Sequence, residues 1–199
     1  LTALATETGN KAHALDARRN DLYETPPEAV QTLLAVESLP RLIWEPACGP
    51  GAIVAMLRHS GRDVLATDLV DYASPHQDHA GVDFLIPGLA ESYSREGRAI
   101  VTNPPFKNAP AFVRRALALS PYVAMLLRLA FITGTTRKDI LDHGHLARVH
   151  VFSRRLPMMH RDGWTGPRAT SATDFAWFVW CRGYNGLPEI ARVDWRDYA

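Results

Sequence analysis

Short apolar runs recur along residues 41–129, and helical patterns lie between most of them. That alternation is the strongest constraint on the fold, because strand–helix repeats close most simply as a parallel sheet with helices on its faces. "RLIWEP" (41–46) reads as a strand, "GAIVAMLRHSG" (51–61) as a helix ended by Gly61, and "DVLATD" (63–68) as a second strand. "VDFL" (82–85) reads as a short third strand, and "RAIVTN" (98–103) as a fourth, followed by a helix near 109–119. "YVAMLLRL" (122–129) is a fifth, followed by a helix near 135–142. "ARVHVFSRRL" (147–156) and "DFAWFVWCR" (174–182) are rich in β-branched and aromatic residues, with a polar loop between them. Two successive strands there would close one edge as an antiparallel hairpin. The expected class is α/β, with a mostly parallel seven-stranded sheet.

Upstream, "TPPEAVQTLLAVESL" predicts a helix from Pro26 to Val36, with Thr25 as N-cap and Pro26 at its first position. Residues 1–21 are polar and weakly periodic, so a flexible N-terminal segment is expected there, with residues 22–199 forming one domain. Apolar residues make up 47% of the chain and charged residues 22%, as in ordinary soluble proteins. No apolar run reaches the roughly 18 residues of a membrane span, so no membrane partner is expected. The opening residues lack a signal-peptide pattern, and Cys48 and Cys181 lack metal-ligand spacing. A reducing, cytoplasmic setting and no metal are the expectation.

Charge is distributed unevenly. Residues 1–106 carry 8 Lys/Arg against 14 Asp/Glu, whereas residues 107–168 carry 11 against 3. The second stretch predicts a basic surface suited to a polyanion, or arginines scattered on solvated helices.

In an open α/β sheet, ligands sit beyond the carboxyl ends of the strands. "WEPACGPGA" (44–52) runs from a strand through a tight loop into a helix. Gly49 and Gly51 permit a sharp turn and close approach of a ligand. No Lys-Ser/Thr follows, which excludes a P-loop, and the spacing is not the dinucleotide fingerprint. Glu45 ends the first strand. Asp68 ends the second, 23 residues later, where an acid can hold a ribose diol. Asp83 beside Phe84 offers a carboxylate for an exocyclic amine and an apolar face for a purine. Singly, Asp68 or Asp83 reads as a turn cap; together, at successive strand ends, they favour a nucleoside ligand.

"IVTNPPFKNAP" (100–110) releases Asn103 from a buried strand into two prolines. The prolines stiffen the backbone and remove two N–H donors, leaving carbonyls as acceptors. The Asn103 side-chain oxygen and the Pro104 carbonyl then form neighbouring acceptors for an NH2 group, with Phe106 available to stack on the ring that bears it.

"EPACGPG" and "NPPF", about 58 residues apart, together resemble the S-adenosylmethionine-dependent N6-adenine methyltransferases. The cofactor motif D/E-P-x-x-G-x-G matches at Glu45, Pro46, Gly49 and Gly51. The catalytic motif D/N/S-P-P-Y/F/W matches at Asn103, Pro104, Pro105 and Phe106. "YETPPE" (23–28) resembles the family's N-terminal motif, and its position ahead of the glycine loop resembles the gamma arrangement. The resemblance spans about residues 22–130. It implies a Rossmann-like class I methyltransferase fold and S-adenosyl-L-methionine as cofactor, with S-adenosyl-L-homocysteine as its product. The implied cofactor contacts are Tyr23, Thr25, Pro26, Glu45, Pro46, Ala47, Gly49, Gly51, Asp68, Leu69, Asp83, Phe84 and Asn103. The implied reaction is methylation of the adenine N6 amine in DNA, by a monomer or homodimer.

Two departures qualify that implication. Only short segments (107–120, 130–146 and 156–173) follow the catalytic motif, so a separate large target-recognition domain is not expected and sequence preference should be short or relaxed. Asn stands where many of these DNA enzymes have Asp, so no general base is implied. The small size resembles that of orphan enzymes of phages or mobile elements. "RRLPMMHRDGWTGPRATS" (154–171) interleaves basic groups with an aromatic ring. With Lys107, the residues Arg154, Arg155, His160, Arg161, Trp164 and Arg168 are the expected nucleic-acid contacts; a hairpin loop with Trp164 tucked on the core is the plainer reading. Methylation of RNA, methylation of a protein glutamine, and a nucleic-acid-binding module without catalysis are the competing functions.

Overall fold

A computed structural model describes residues 22–157 and 173–198; the expected flexible segment 1–21 lies outside them. Helix α1 (Pro27–Val36) leads into β1 (Leu42–Glu45), α2 (Ala52–His59) and β2 (Asp63–Ala66). A long irregular stretch and α3 (Leu89–Tyr93) precede β3 (Ala99–Thr102), α4 (Ala109–Leu119) and β4 (Tyr122–Arg128). Then come α5 (Lys138–Leu141), β5 (Leu146–Phe152), β6 (Phe175–Cys181) and β7 (Glu189–Val193). The strands form one seven-stranded sheet in the order β2-β1-β3-β4-β6-β5-β7. Only β6 runs against its neighbours, pairing antiparallel with both β4 and β5.

The side-chain alternation of the strands builds two cores. Ala124 and Leu126 of β4 join Trp177 and Val179 of β6 on one face, covered by α1 and α2 through Val30, Leu33, Ile53 and Leu57. Val123, Met125 and Leu127 join Phe178 and Trp180 on the other, covered by Phe112, Val113 and Ala116 of α4. Residues one apart along a strand point to opposite faces, so a strand buried on both sides must be apolar throughout. "FAWFVW" satisfies that, and its indoles are bonded as well: Trp177 Nε1 donates to the Ala29 carbonyl at 2.8 Å and Trp180 Nε1 to Ile140 at 2.7 Å.

Three expectations change. Residues 82–85 form no strand: Phe84 is buried, edge-on to Trp44 at 5.2 Å and against Phe112 at 5.0 Å, so its apolar character serves side-chain packing. The seventh strand is instead β7, which lies parallel to β5 and sets the hairpin β5–β6 one strand in from the edge. Helix α1 starts at Pro27 with Pro26, which has no side-chain acceptor, at the capping position, and the Thr25 hydroxyl accepts from Asn103 Nδ2.

Candidate functional site

The carboxyl ends of β1, β2 and β3 open onto one cleft of about 290 Å³. Its wall on one side is Leu22, Tyr23, Glu24 and Thr25, the segment that enters α1. Its floor comes from Glu45 to Pro50 with Asp68 bonded to the turn, and Leu69, Asp83 and Phe84 also line it. Asn103, Pro105 and Lys107 close the end beyond β3. The structure therefore brings the glycine turn, the acids at the strand ends and the Asn-Pro-Pro segment to a single opening. Pro26, Gly51, Pro104 and Phe106 are not among the residues that line it.

The turn after β1 is fixed by backbone conformation. Gly49 has φ +53° and Gly51 φ +100°, both in the left-handed region. The two glycines differ in purpose. The Gly49 N–H donates to Asp68 Oδ2 at 2.8 Å, tying the turn to the end of β2. A Cβ on Gly51 would lie 2.2 Å from the His76 Cβ, so this glycine admits the neighbouring loop rather than a ligand. Gly51→Ala is expected to cost about 2 kcal/mol from backbone strain and overlap. Urea unfolding reads this directly, and an unchanged midpoint would contradict the assignment.

Two acids meet at the floor. Glu45 is buried, and burial first, then repulsion by Asp68, pushes its carboxyl well above the usual range. Its Oε2 has no hydrogen-bond partner among the described residues. Burial likewise raises Asp68, against the N–H bonds from Val70 and Gly49 that favour its charged form. Leu69 adds a third backbone N–H, so the Asp68 carboxylate is held by the backbone on both sides of its strand-end turn. Among the described residues neither acid has a Lys, Arg or His within ion-pair distance. Two buried carboxyls without a counter-charge fit a cationic ligand.

The Asn103 amide is equally defined. Its Nδ2 donates to the Tyr23 carbonyl and to Thr25 Oγ1, each at 3.0 Å, while buried Oδ1 has no partner among the described residues. Asp83 Oδ1 accepts the Leu85 N–H at 2.9 Å, forming a local turn beside the cleft. Pro104 is buried behind Asn103, and the Pro105 carbonyl accepts from the Asn108 N–H at 3.0 Å.

Phe106 departs from the expected free stacking surface. Its ring lies 4.7 Å from Tyr23 and 5.6 Å from Phe175, and the Arg128 guanidinium sits 4.5 Å over it. The basic stretch is also less exposed as net charge than its composition implies. Arg114 pairs with Asp139, Arg115 with Glu91, Arg154 with Asp194, and Arg155 with Asp174 at 3.7 Å. Glu91, Asp174 and Asp194 come from outside residues 107–168, so a count within that stretch cannot see them. His160, Arg161, Trp164 and Arg168 lie outside the described residues. Among the described residues no group of three His, Cys, Asp or Glu could hold a metal, and no helix is long and apolar enough to cross a membrane.

Sequence reasoning missed Tyr72 and Phe112 as lining residues. Tyr72 follows Asp68 by four positions, an aromatic beside a strand-end acid; Phe112 lies within a helix and its apolar spacing marks only the core.

No protein-family profile matches the chain, and no curated protein matches it. Solved structures do. A modification subunit of a putative type I restriction enzyme from Vibrio vulnificus superposes with a TM-score of 0.58 at 13% identity, covering 86% of this chain and 47% of that one. A putative RNA methyltransferase from Pyrococcus horikoshii gives 0.56 at 12% identity, covering 82% and 87%. A magnesium protoporphyrin IX methyltransferase from Synechocystis with bound SAH gives 0.50 at 12% identity, covering 84% and 83%. The chain spans about half the length of the restriction-modification subunit. The likeness is one of fold: a seven-stranded mixed sheet shared by methyltransferases of different substrates.

Proposed function

We propose that this chain is an S-adenosylmethionine-dependent methyltransferase acting on the N6 amine of adenine in DNA. One observation carries the reading: Asn103, whose Oδ1 has no donor among the described residues, lines the same cleft as the buried, cation-less Glu45 and Asp68. A cationic methyl donor and a neutral NH2 group are the ligands that such a pair of subsites would accept. The fold shared with methyltransferases supports it, as does the resemblance of the Asn-Pro-Pro-Phe segment.

Glu45 and Asp68 would hold the cationic and ribose parts of the cofactor, with Asp83 and Phe84 beside its purine. When bound, S-adenosylmethionine supplies a methyl on a sulfonium leaving group and departs as S-adenosylhomocysteine. The adenine amine is a weak nucleophile because its lone pair is delocalised into the ring. Asn103 Oδ1 would accept one of its hydrogens, and the Pro104 carbonyl, which does not line the cleft without substrate, would have to come within reach of the second; acceptance favours a tetrahedral nitrogen and localises the pair. Positioning and electrostatic preorganisation supply the rate; the nitrogen, cationic once methylated, then releases its proton to solvent water, so no side chain is required as a base. An adenine in a duplex must leave the stack to reach the cleft. Its ring would take the face of Phe106 that Arg128 covers; Arg128 has no carboxylate partner among the described residues and can then meet a phosphate.

The test is parallel transfer of labelled methyl from S-adenosylmethionine to DNA, RNA and protein, followed by digestion of the products. N6-methyladenine in DNA is the expected product. Label confined to RNA or to a protein glutamine reassigns the substrate, and no label in any of them removes the enzyme reading in favour of a binding module.

A further inference from the structure

We infer that Thr25 is a positioning residue for Asn103 rather than a cofactor ligand: with the Tyr23 carbonyl it locks the amide by using both N–H groups, so that Oδ1 is the end left for a substrate donor. The inference deepens the methyl-transfer reading above and rests on it. An Asn side chain has two nearly isosteric ends, and an unrestrained amide presents either one. A free NH2 end would repel a substrate amine and attract a carbonyl. Here one end is specified. The Tyr23 carbonyl has no proton and can only accept, so the group 3.0 Å from it must be the NH2. The buried Thr25 hydroxyl takes the other N–H at 3.0 Å. Both amide hydrogens are thereby used, and Oδ1 is left buried with no donor among the described residues. An acceptor prepared in this way selects a substrate that offers N–H and rejects one that offers a carbonyl.

The lock also accounts for Asn in place of the Asp common in the family resembled. A carboxylate at position 103 would set an oxygen against the Tyr23 carbonyl at the distance the amide nitrogen now holds, two acceptors facing each other. The neutral amide is the group this surrounding accommodates.

Three variants test it on whichever substrate accepts label from the wild-type chain, with cofactor affinity measured by calorimetry and folding by circular dichroism. Thr25→Val should lower kcat about tenfold, the worth of one oriented hydrogen bond, with Kd for S-adenosylmethionine unchanged. Thr25→Ser, which keeps the hydroxyl, should restore kcat. Asn103→Asp should lose activity at neutral pH, even though it retains an acceptor. The lock is overturned if Thr25→Val weakens cofactor binding while kcat holds, or if Asn103→Asp is fully active; the Asp variant decides the matter should Thr25→Val misfold. These outcomes are separable from failure of the underlying reading, which shows as absence of label from the wild-type chain.

Discussion

Asn103→Ala is expected to lower methyl transfer by roughly a hundred- to a thousandfold, the scale seen when one preorganised polar group is removed from a reacting centre. The substitution deletes the only side-chain atom of the Asn-Pro-Pro-Phe segment proposed to touch the amine. It leaves the Pro104 carbonyl, the glycine turn and the two acids in place. Affinity for S-adenosylmethionine should therefore stay within a few-fold, because Glu45, Gly49 and Asp68 sit at the ends of β1 and β2 and take no hydrogen bond from Asn103. The loss should appear in kcat rather than in cofactor Kd, the pattern of an interaction strengthened in the transition state. Folding cost should be small: the Tyr23 carbonyl and Thr25 hydroxyl lose one donor each beside a half-buried position. Single-turnover transfer with calorimetry of the same preparation checks both halves. Activity within tenfold of wild type would remove the clamp.

What could be read from the sequence follows from where the information resides. Strands β1, β3, β4 and β6 are buried on both faces, so their residues must be apolar in unbroken runs, and the runs are visible. Strand β7 is exposed along Glu189 to Arg192 and buries only Val193, so it has no apolar pattern to find. Residues 82–85 present the opposite case: Val82 and Phe84 are buried at alternate positions, as in a strand, yet the segment is not in a ladder, since periodicity reports burial and not hydrogen bonding. The cleft was legible because each strand end carries a distinctive residue: Glu45 before the glycines, Asp68 after β2, Asn103 before the prolines. The bond between Asn103 and Thr25 was not, because it joins residues 78 positions apart through a loop. Arg115, Arg154 and Arg155 illustrate the same limit for charge, each paired with an acid from outside the basic stretch.

Glu37→Ala should be the most damaging substitution for stability outside the cleft, at about 3–5 kcal/mol. Glu37 ends α1 with its side chain only 3% exposed, yet it bears a charge. Arg148 donates to it through Nε at 2.5 Å and Nη2 at 2.9 Å, Tyr122 Oη at 2.7 Å, and His150 Nε2 at 2.7 Å. These partners lie on β4 and β5, so one carboxylate fastens a helix to two strands at the end of the sheet away from the cleft. Alanine would leave a half-buried phenol and a buried imidazole without an acceptor, and a guanidinium without its counter-charge. For a domain of this size the loss corresponds to a fall in Tm of about 10 °C. The pH dependence has a defined sign. Burial alone would raise the Glu37 carboxyl; the bonds from His150, Arg148 and Tyr122 outweigh it and hold the pKa at about 2, below the ordinary 4.5. A depressed folded-state pKa contributes stability that is fully present above pH 4.5 and disappears as pH falls toward 2. After allowance for solvent around the partly exposed Arg148, that contribution is of order 2–3 kcal/mol. Urea unfolding of wild type and Glu37→Gln at pH 7 and pH 3 should show the gap between them narrowing with acid, with cofactor affinity equal at pH 7. A gap that stays constant with pH would mean that the carboxylate charge contributes nothing to holding α1 on the sheet.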